Sequence, residues 1–344
     1  MPEQSNHSFF TVNDLPMSKR YDVWQDSIDC IFQVDALPEV RKEEFTASLD
    51  AHLVGSMMLA RTISKHQFWS RTASNIAADG MDHYMVQFYY DGGMASDDGK
   101  NGTEIESGGL LVQDLTQVAS ATTSDFDNLV LVLPRPILEN KLILPEDHNM
   151  RFLSTKDPMV RILADQLVSI KKNASSVTVE QSSILETVIS EMLSCCLNTA
   201  MGENSETRQQ RKNVQTMVAI RRYFRKNFSS PDLNPARAAQ DLGLSRSRLY
   251  TLMEDHGGVH SYVRNLRLRH ALSILSNPAT QHRPLYDIAL ECGFASDSSF
   301  IRAFREKFDM TPGDVRQGAL PANKSAPHTS PSIDTRYENW LNTL

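Results

Sequence analysis

Cysteine is scarce, with four residues in a chain of 344, and no two of them are spaced C-x-x-C. That excludes a disulfide-stapled scaffold and removes the usual opening of a structural zinc site. Long apolar runs are missing as well. The longest aliphatic stretch, Leu129 to Leu133, ends at Pro134, far short of the ~20 residues that a membrane span needs. Met1 to Phe10 has no basic segment followed by an apolar core, so no secretory signal and a cytoplasmic location without membrane contact are expected. No Gly-rich phosphate loop and no G-x-S-x-G elbow occurs. The histidines before residue 200 are His7, His52, His66, His83 and His148, none in an H-x-H pair, too sparse for the clustered ligands of a metal enzyme. No catalytic residue, metal or cofactor is therefore assigned, and an enzyme is not expected.

What is present is an ordinary globular composition, 40% hydrophobic and 22% charged, in a length that suits about two domains. The formal net charge of −7 hides an asymmetry. Arg208 to Gly318 carries 18 Lys and Arg against 10 Asp and Glu, and the remainder carries 17 against 32. A basic segment on an acidic body is the pattern expected when one domain meets a polyanion.

Periodicity divides the chain further. Ser18 to Phe32 reads as an amphipathic helix through Tyr21, Trp24, Ile28 and Ile31. Segments 45–55, 57–64, 66–72, 83–90, 104–113, 117–123 and 128–133 read as short strands punctuated by Gly, Asp and Asn. So many short strands argue for an antiparallel barrel or sandwich. Helical patterns follow at 157–172 and 179–200, then a polar linker, then helices from 213 to 317. The expected organisation is α+β. An N-terminal antiparallel β-barrel with flanking helices (1–201) is followed by a linker (202–212), an all-α domain (213–318) and a Pro-rich disordered tail (319–344).

The all-α segment contains an internal repeat. Ala239-Gln-Asp-Leu-Gly243-Leu-Ser245 and Ala289-Leu-Glu-Cys-Gly293-Phe-Ala-Ser296 place A-x-x-x-G twice, 50 residues apart. In each, a small Ala permits close helix approach, a Gly supplies the positive φ of the turn, and a Ser caps the next helix. That is helix-turn-helix geometry. A connecting helix, Val259 to Ser276, spans ~27 Å, about the length needed to set two recognition helices into successive major grooves ~34 Å apart.

Asp287-Ile-Ala289, Gly293-Phe294, Ser299-Phe300, Arg302-Ala-Phe304-Arg305 and Thr311-Pro312 through Arg316 resemble the C-terminal signature of AraC/XylS-type transcription regulators. Leu242 to Tyr250 and Tyr262 to Ala271 fit the first half of the same pattern. The sequence departs from it at Asp309, where a Gly is usual, and at Val315, where a Tyr is common. Gly108 to Asp114 and Leu129 to Arg135 resemble, less strongly, the cupin-like sensory domain of a subgroup of these regulators. The resemblance implies a cytoplasmic transcription regulator, an activator more often than a repressor. It also implies double-stranded DNA, RNA polymerase and a small-molecule effector as partners. A sensor acting through a protein partner is the rival.

Base reading is expected from the recognition-helix positions that face away from the apolar side. These are Arg246, Ser247, Tyr250 and Thr251, with Arg248 beside them, and Asp297, Ser298, Ile301 and Arg302. Arg can bond guanine bidentately, a carboxylate can accept from cytosine, and Ile301 can touch a thymine methyl. Arg246 and Arg302 could equally hold phosphate, and Arg302 could be a structural ion pair. In strand 83–90 the aromatic set Tyr84, Phe88 and Tyr90 is the candidate ligand face, with plain core packing as the alternative. Ile184, Leu185, Val188, Met192 and Leu193 form an apolar helical face wide enough for a homodimer, the alternative being a face used up by its own core.

Overall fold

The computed structural model describes residues 6–96, 103–105, 108–203, 208–230, 232–254, 257–317 and 333–344. The chain divides into two compact units, residues 1–200 with 325–344, and residues 201–324.

The first unit begins with β1 (His7–Thr11), α1 (Met17–Ile28), β2 (Gln33–Asp35), β3 (Ala47–Val54), β4 (Met57–Ser64) and β5 (Gln67–Arg71). It continues with α2 (Ala73–Asp79), β6 (His83–Asp91), β7 (Met94–Ser96), β8 (Thr103–Ile105), β9 (Gly109–Asp114), β10 (Ala119–Thr123) and β11 (Phe126–Pro134). After α3 (Arg135–Leu138) and β12 (Arg151–Ser154) come α4 (Pro158–Asn173) and α5 (Val179–Glu203).

The expected cupin-like closed barrel does not form. The strands make a seven-stranded antiparallel sheet, β1-β3-β4-β11-β6-β9-β12, and a five-stranded one, β2-β5-β10-β7-β8. Neither sheet closes on itself. Three strands of the smaller sheet, β2, β7 and β8, are only three residues long. Alternation and turn signals are common to barrels and sandwiches; whether the outermost strands pair depends on contacts distant in sequence.

The larger sheet is covered on both faces, so β9 and β11 are buried almost without interruption. One face meets the smaller sheet and α1 around Trp24, Met85, Tyr89, Leu111 and Val130. The other packs on α4 and α5 through Tyr84, Val86, Leu131, Leu163 and Leu193. A buried ion pair between Arg135 and Asp114 joins the ends of β11 and β9, and Tyr84 stacks on the guanidinium with 4.6 Å from Cζ to the ring centre. The two motifs singled out for their sensory-domain resemblance therefore meet as a structural clasp.

The second unit is helical: α6 (Arg208–Asn227), α7 (Pro235–Asp241), α8 (Arg246–Met253), α9 (Gly258–Ser276), α10 (Leu285–Glu291), α11 (Asp297–Phe308) and α12 (Pro312–Arg316). The expected linker is helical at both ends, because α5 continues to Glu203 and α6 begins at Arg208; 204–207 lie outside the described residues. The expected disordered tail also needs correction. Residues 319–332 lie outside the described residues, but the chain ends in α13 (Arg336–Thr343), whose Tyr337 and Leu341 are fully buried in the core of the first unit. Two buried anchors four positions apart carry too little periodicity to stand out in a short polar segment.

Candidate nucleic-acid interface and interior cavity

The two helix-turn-helix copies are built alike, hydrogen bond for hydrogen bond. Leu244 N donates to Ala239 O at 2.8 Å and Phe294 N to Ala289 O at 2.9 Å, closing each turn behind a buried Ala. Gly243 and Gly293 supply φ of +64° and +82°. Only at Gly293 is space also short, since a Cβ would stand 2.9 Å from both Phe228 O and Arg267 Nε. Ser245 Oγ then accepts from Arg248 N, and Ser296 Oγ from Ser299 N, each at 3.2 Å. These caps satisfy orphan N–H groups and begin α8 and α11 at defined points. Leu249 and Met253 bury the inner side of α8, and Phe300, Phe304 and Phe308 that of α11.

The opposite sides are open to solvent. Arg246, Ser247, Tyr250 and Thr251 are exposed on α8, as are Asp297, Ser298 and Arg302 on α11, while Ile301 is half-buried. Arg246 and Arg302 make no ion pair or hydrogen bond through their side chains among the described residues, and the structural ion pair considered for Arg302 is not seen there. Arg248 differs from its neighbours: it is half-buried and its guanidinium bonds Asn213 on α6.

Several cations of the basic segment are structural. Arg267 Nε donates to Phe228 O at 2.7 Å, securing the carbonyl end beyond α6. Arg221 is buried under Tyr262. Arg264 pairs with Glu306 at 3.1 Å, and Arg283 pairs with Glu291. Asp309, the departure from the usual Gly, has φ of +55° at the C-cap of α11; the position does demand a left-handed residue, which Asp tolerates better than most. Val315 is buried in α12, whose capping box joins Thr311 and Asp314.

A helix-turn-helix domain profile matches residues 238–318. Over 107 residues the chain is 33% identical to the regulatory protein SoxS of Escherichia coli K12, covering 30% of this chain and 94% of SoxS. The chain belongs to the AraC/XylS family of helix-turn-helix regulators. It is also 31% identical over 132 residues to the probable transcriptional regulator LumQ of Photobacterium leiognathi, covering 38% of this chain and about half, 50%, of LumQ. In fold it is similar to the AraC-like transcriptional activator CuxR, with a TM-score of 0.52 and 24% identity over 76% of this chain and 94% of that one.

Outside the family's matched segment, the first unit holds a cavity of about 80 Å³ between its two sheets, lined by side chains from α1, both sheets and α13. Strand β6 contributes Met85, Gln87 and Tyr89. The aromatic set singled out from sequence lies elsewhere: Tyr84 faces α4 and α5, Phe88 is half-buried, and Tyr90 is exposed. Period-2 alternation separated the two faces of β6 correctly, but with both faces buried it could not say which one borders open space.

One cluster of metal-ligand types occurs among the described residues, His7, Asp50 and His52. Lys171 Nζ sits within it, 3.1 Å from Asp50 Oδ1 and 3.0 Å from His52 Nδ1. An ammonium already neutralises the carboxylate, and burial with that neighbouring charge pulls His52 down to about 4. The set is an ion-pair network around a neutral imidazole. Cys196 is buried, which pushes its thiol up to about 11, so it packs as a small apolar group. No described helix is long and apolar enough to cross a membrane.

Proposed function

We propose that the protein is a sequence-specific, DNA-binding transcription activator in which α8 and α11 enter successive major grooves. The observation that carries this reading is the duplicated helix-turn-helix with matching turn bonds, each copy leaving an exposed polar face that starts at a capped N-terminus. α9, at 19 residues, is ~28 Å long, which suits two helices one turn of B-DNA apart. Arg246, Ser247, Tyr250, Thr251, Asp297, Ser298, Ile301 and Arg302 are the base-edge candidates, and Arg248 acts mainly by holding α8 to α6. The names of SoxS, LumQ and CuxR all describe regulators, CuxR an activator, and RNA polymerase is the partner an activator would engage. A mobility shift with the DNA upstream of the protein's own gene tests the reading. A retarded complex that resists nonspecific competitor is expected; binding without sequence preference would overturn it in favour of a sensor acting through a protein partner.

The first unit would supply control. Its interior cavity supports a small-molecule effector, and an exposed apolar stripe supports a homodimer. On α5, Ile184 is 64% and Val188 44% exposed, and Met159 and Ile162 are exposed on α4, whereas Leu193 is consumed by the core and Leu185 and Met192 are half-buried. Sedimentation of the full chain at tens of micromolar should give a dimer that Ile184→Glu with Val188→Glu converts to a monomer. A monomeric wild type would remove the dimer from the account.

A further inference from the structure

The interior cavity has a definite chemical character. Among the described residues no Lys, Arg, His, Asp or Glu lines it, so a charged ligand would lose its hydration with nothing there to replace it. Two of its amide side chains have their oxygens engaged. Trp24 Nε1 donates to Gln67 Oε1 at 2.9 Å, and Tyr89 OH donates to Gln87 Oε1 at 2.8 Å. The third, Asn128, is 3% exposed and its Oδ1 has no hydrogen-bond partner among the described residues. It stands where the β11–β6 register slips between Asp127 and Asn128, the kind of bulge that re-aims a side chain. A buried acceptor left unpaired is costly, and this one borders open space.

The cavity's wall includes the end of the chain. Tyr337 and Leu341 of α13 both line it and are fully buried. Tyr337 OH lies 2.7 Å from Ser27 Oγ, and His83 Nε2 lies 3.1 Å from the Leu341 carbonyl oxygen. α13 adds no strand to either sheet, so it can leave without breaking a ladder. The cavity exists with α13 docked, so the helix and an occupant fit together.

We propose that α13 is a lid closing over a ligand in this cavity, and that the ligand is an uncharged, largely apolar molecule carrying a hydrogen-bond donor for Asn128 Oδ1. The proposal deepens the effector reading above and rests on it for its biological use. Because α13 follows the DNA-binding unit in the chain, a closed lid ties the end of that unit's own polypeptide to the occupied sensory unit.

Three single-ring probes, chosen for a space of about 80 Å³, test this on the full chain, read by titration calorimetry. They are phenol, benzene and benzoate. Phenol should bind at least ~10-fold more tightly than benzoate, and Asn128→Leu should erase its advantage over benzene while benzene still binds. Saturating phenol should slow release of the C-terminal residues by carboxypeptidase several-fold. A chain ending at residue 332, checked for an intact cooperative melt, should bind phenol at least ~10-fold more weakly. Equal or tighter binding of benzoate, or no binding by any probe, overturns the ligand class. Unchanged or faster carboxypeptidase release with phenol bound overturns the lid, even if the shortened chain does not fold. The effector reading fails separately, on promoter output that stays constant when the cavity is filled.

Discussion

Arg135 and Asp114 show what a sequence motif can mean at the scale of one residue pair. Both are buried, and their ion pair is completed by Tyr84 and Thr116. Removing one partner strands the other charge in the interior, so Asp114→Ala is expected to destabilise the first unit by about 3–5 kcal/mol. Chemical denaturation checks this, and a loss below about 1 kcal/mol would show the pair to be unimportant. His148 gives the pH dependence. It is fully buried, neither ring nitrogen is hydrogen-bonded among the described residues, and burial lowers its pKa to about 4. The unfolded imidazole takes a proton near 6.5, whereas the folded one resists until about 4. Its contribution is therefore complete above pH 6.5 and lost as pH falls through that window. His148→Leu should flatten the acid limb of the stability curve of the first unit by up to about 3 kcal/mol. An unchanged limb would place the acid sensitivity elsewhere, at His52 first.

At the scale of elements, the turns were the most legible part of the chain. An Ala, a Gly and a Ser at fixed offsets are dictated by local backbone chemistry, and both copies form as that chemistry requires. What local reasoning missed is that the two glycines are not equivalent. Gly243 has open space where a Cβ would go, while Gly293 is pressed against Phe228 O and Arg267. Gly243→Ala should cost about 1 kcal/mol from the left-handed backbone alone. Gly293→Ala should cost more, about 2–4 kcal/mol, because clash and lost packing of Arg267 add to the same backbone term. Thermal melts of the two variants check the order, and equal losses would mean that the Arg267 side chain yields freely. The role of Arg267 itself was illegible, since a cation aimed at a carbonyl two helices away has the same sequence signature as one aimed at phosphate.

At the scale of the whole molecule, sequence patterns told strand-rich from helix-rich halves but not how the strands close. Both faces of the larger sheet are buried, so alternation fades in β9 and β11, and the distinction between barrel and sandwich rests on pairings such as β1 with β3, 37 to 45 residues apart. The same long-range logic hid α13, whose partners Ser27 and His83 lie hundreds of residues earlier. The exposed sides of α8 and α11 were legible because they are local: a capped helix with one apolar side leaves the other side defined. Arg248, turned by Asn213 of a preceding helix, and the half-buried Ile301 depart from those exposed sides.

The central claim is that two recognition helices read two grooves. Selection of bound sites from random duplex DNA by the wild-type chain, by Arg246→Ala and by Arg302→Ala tests it most directly. Wild type should recover two conserved blocks with centres about 10 base pairs apart. Each variant should relax one block, with a loss of about 1–3 kcal/mol at the base it reads, and leave the other block intact. A single conserved block, or uniform weakening on every sequence by both variants, would contradict the account and reassign these arginines to the phosphate backbone.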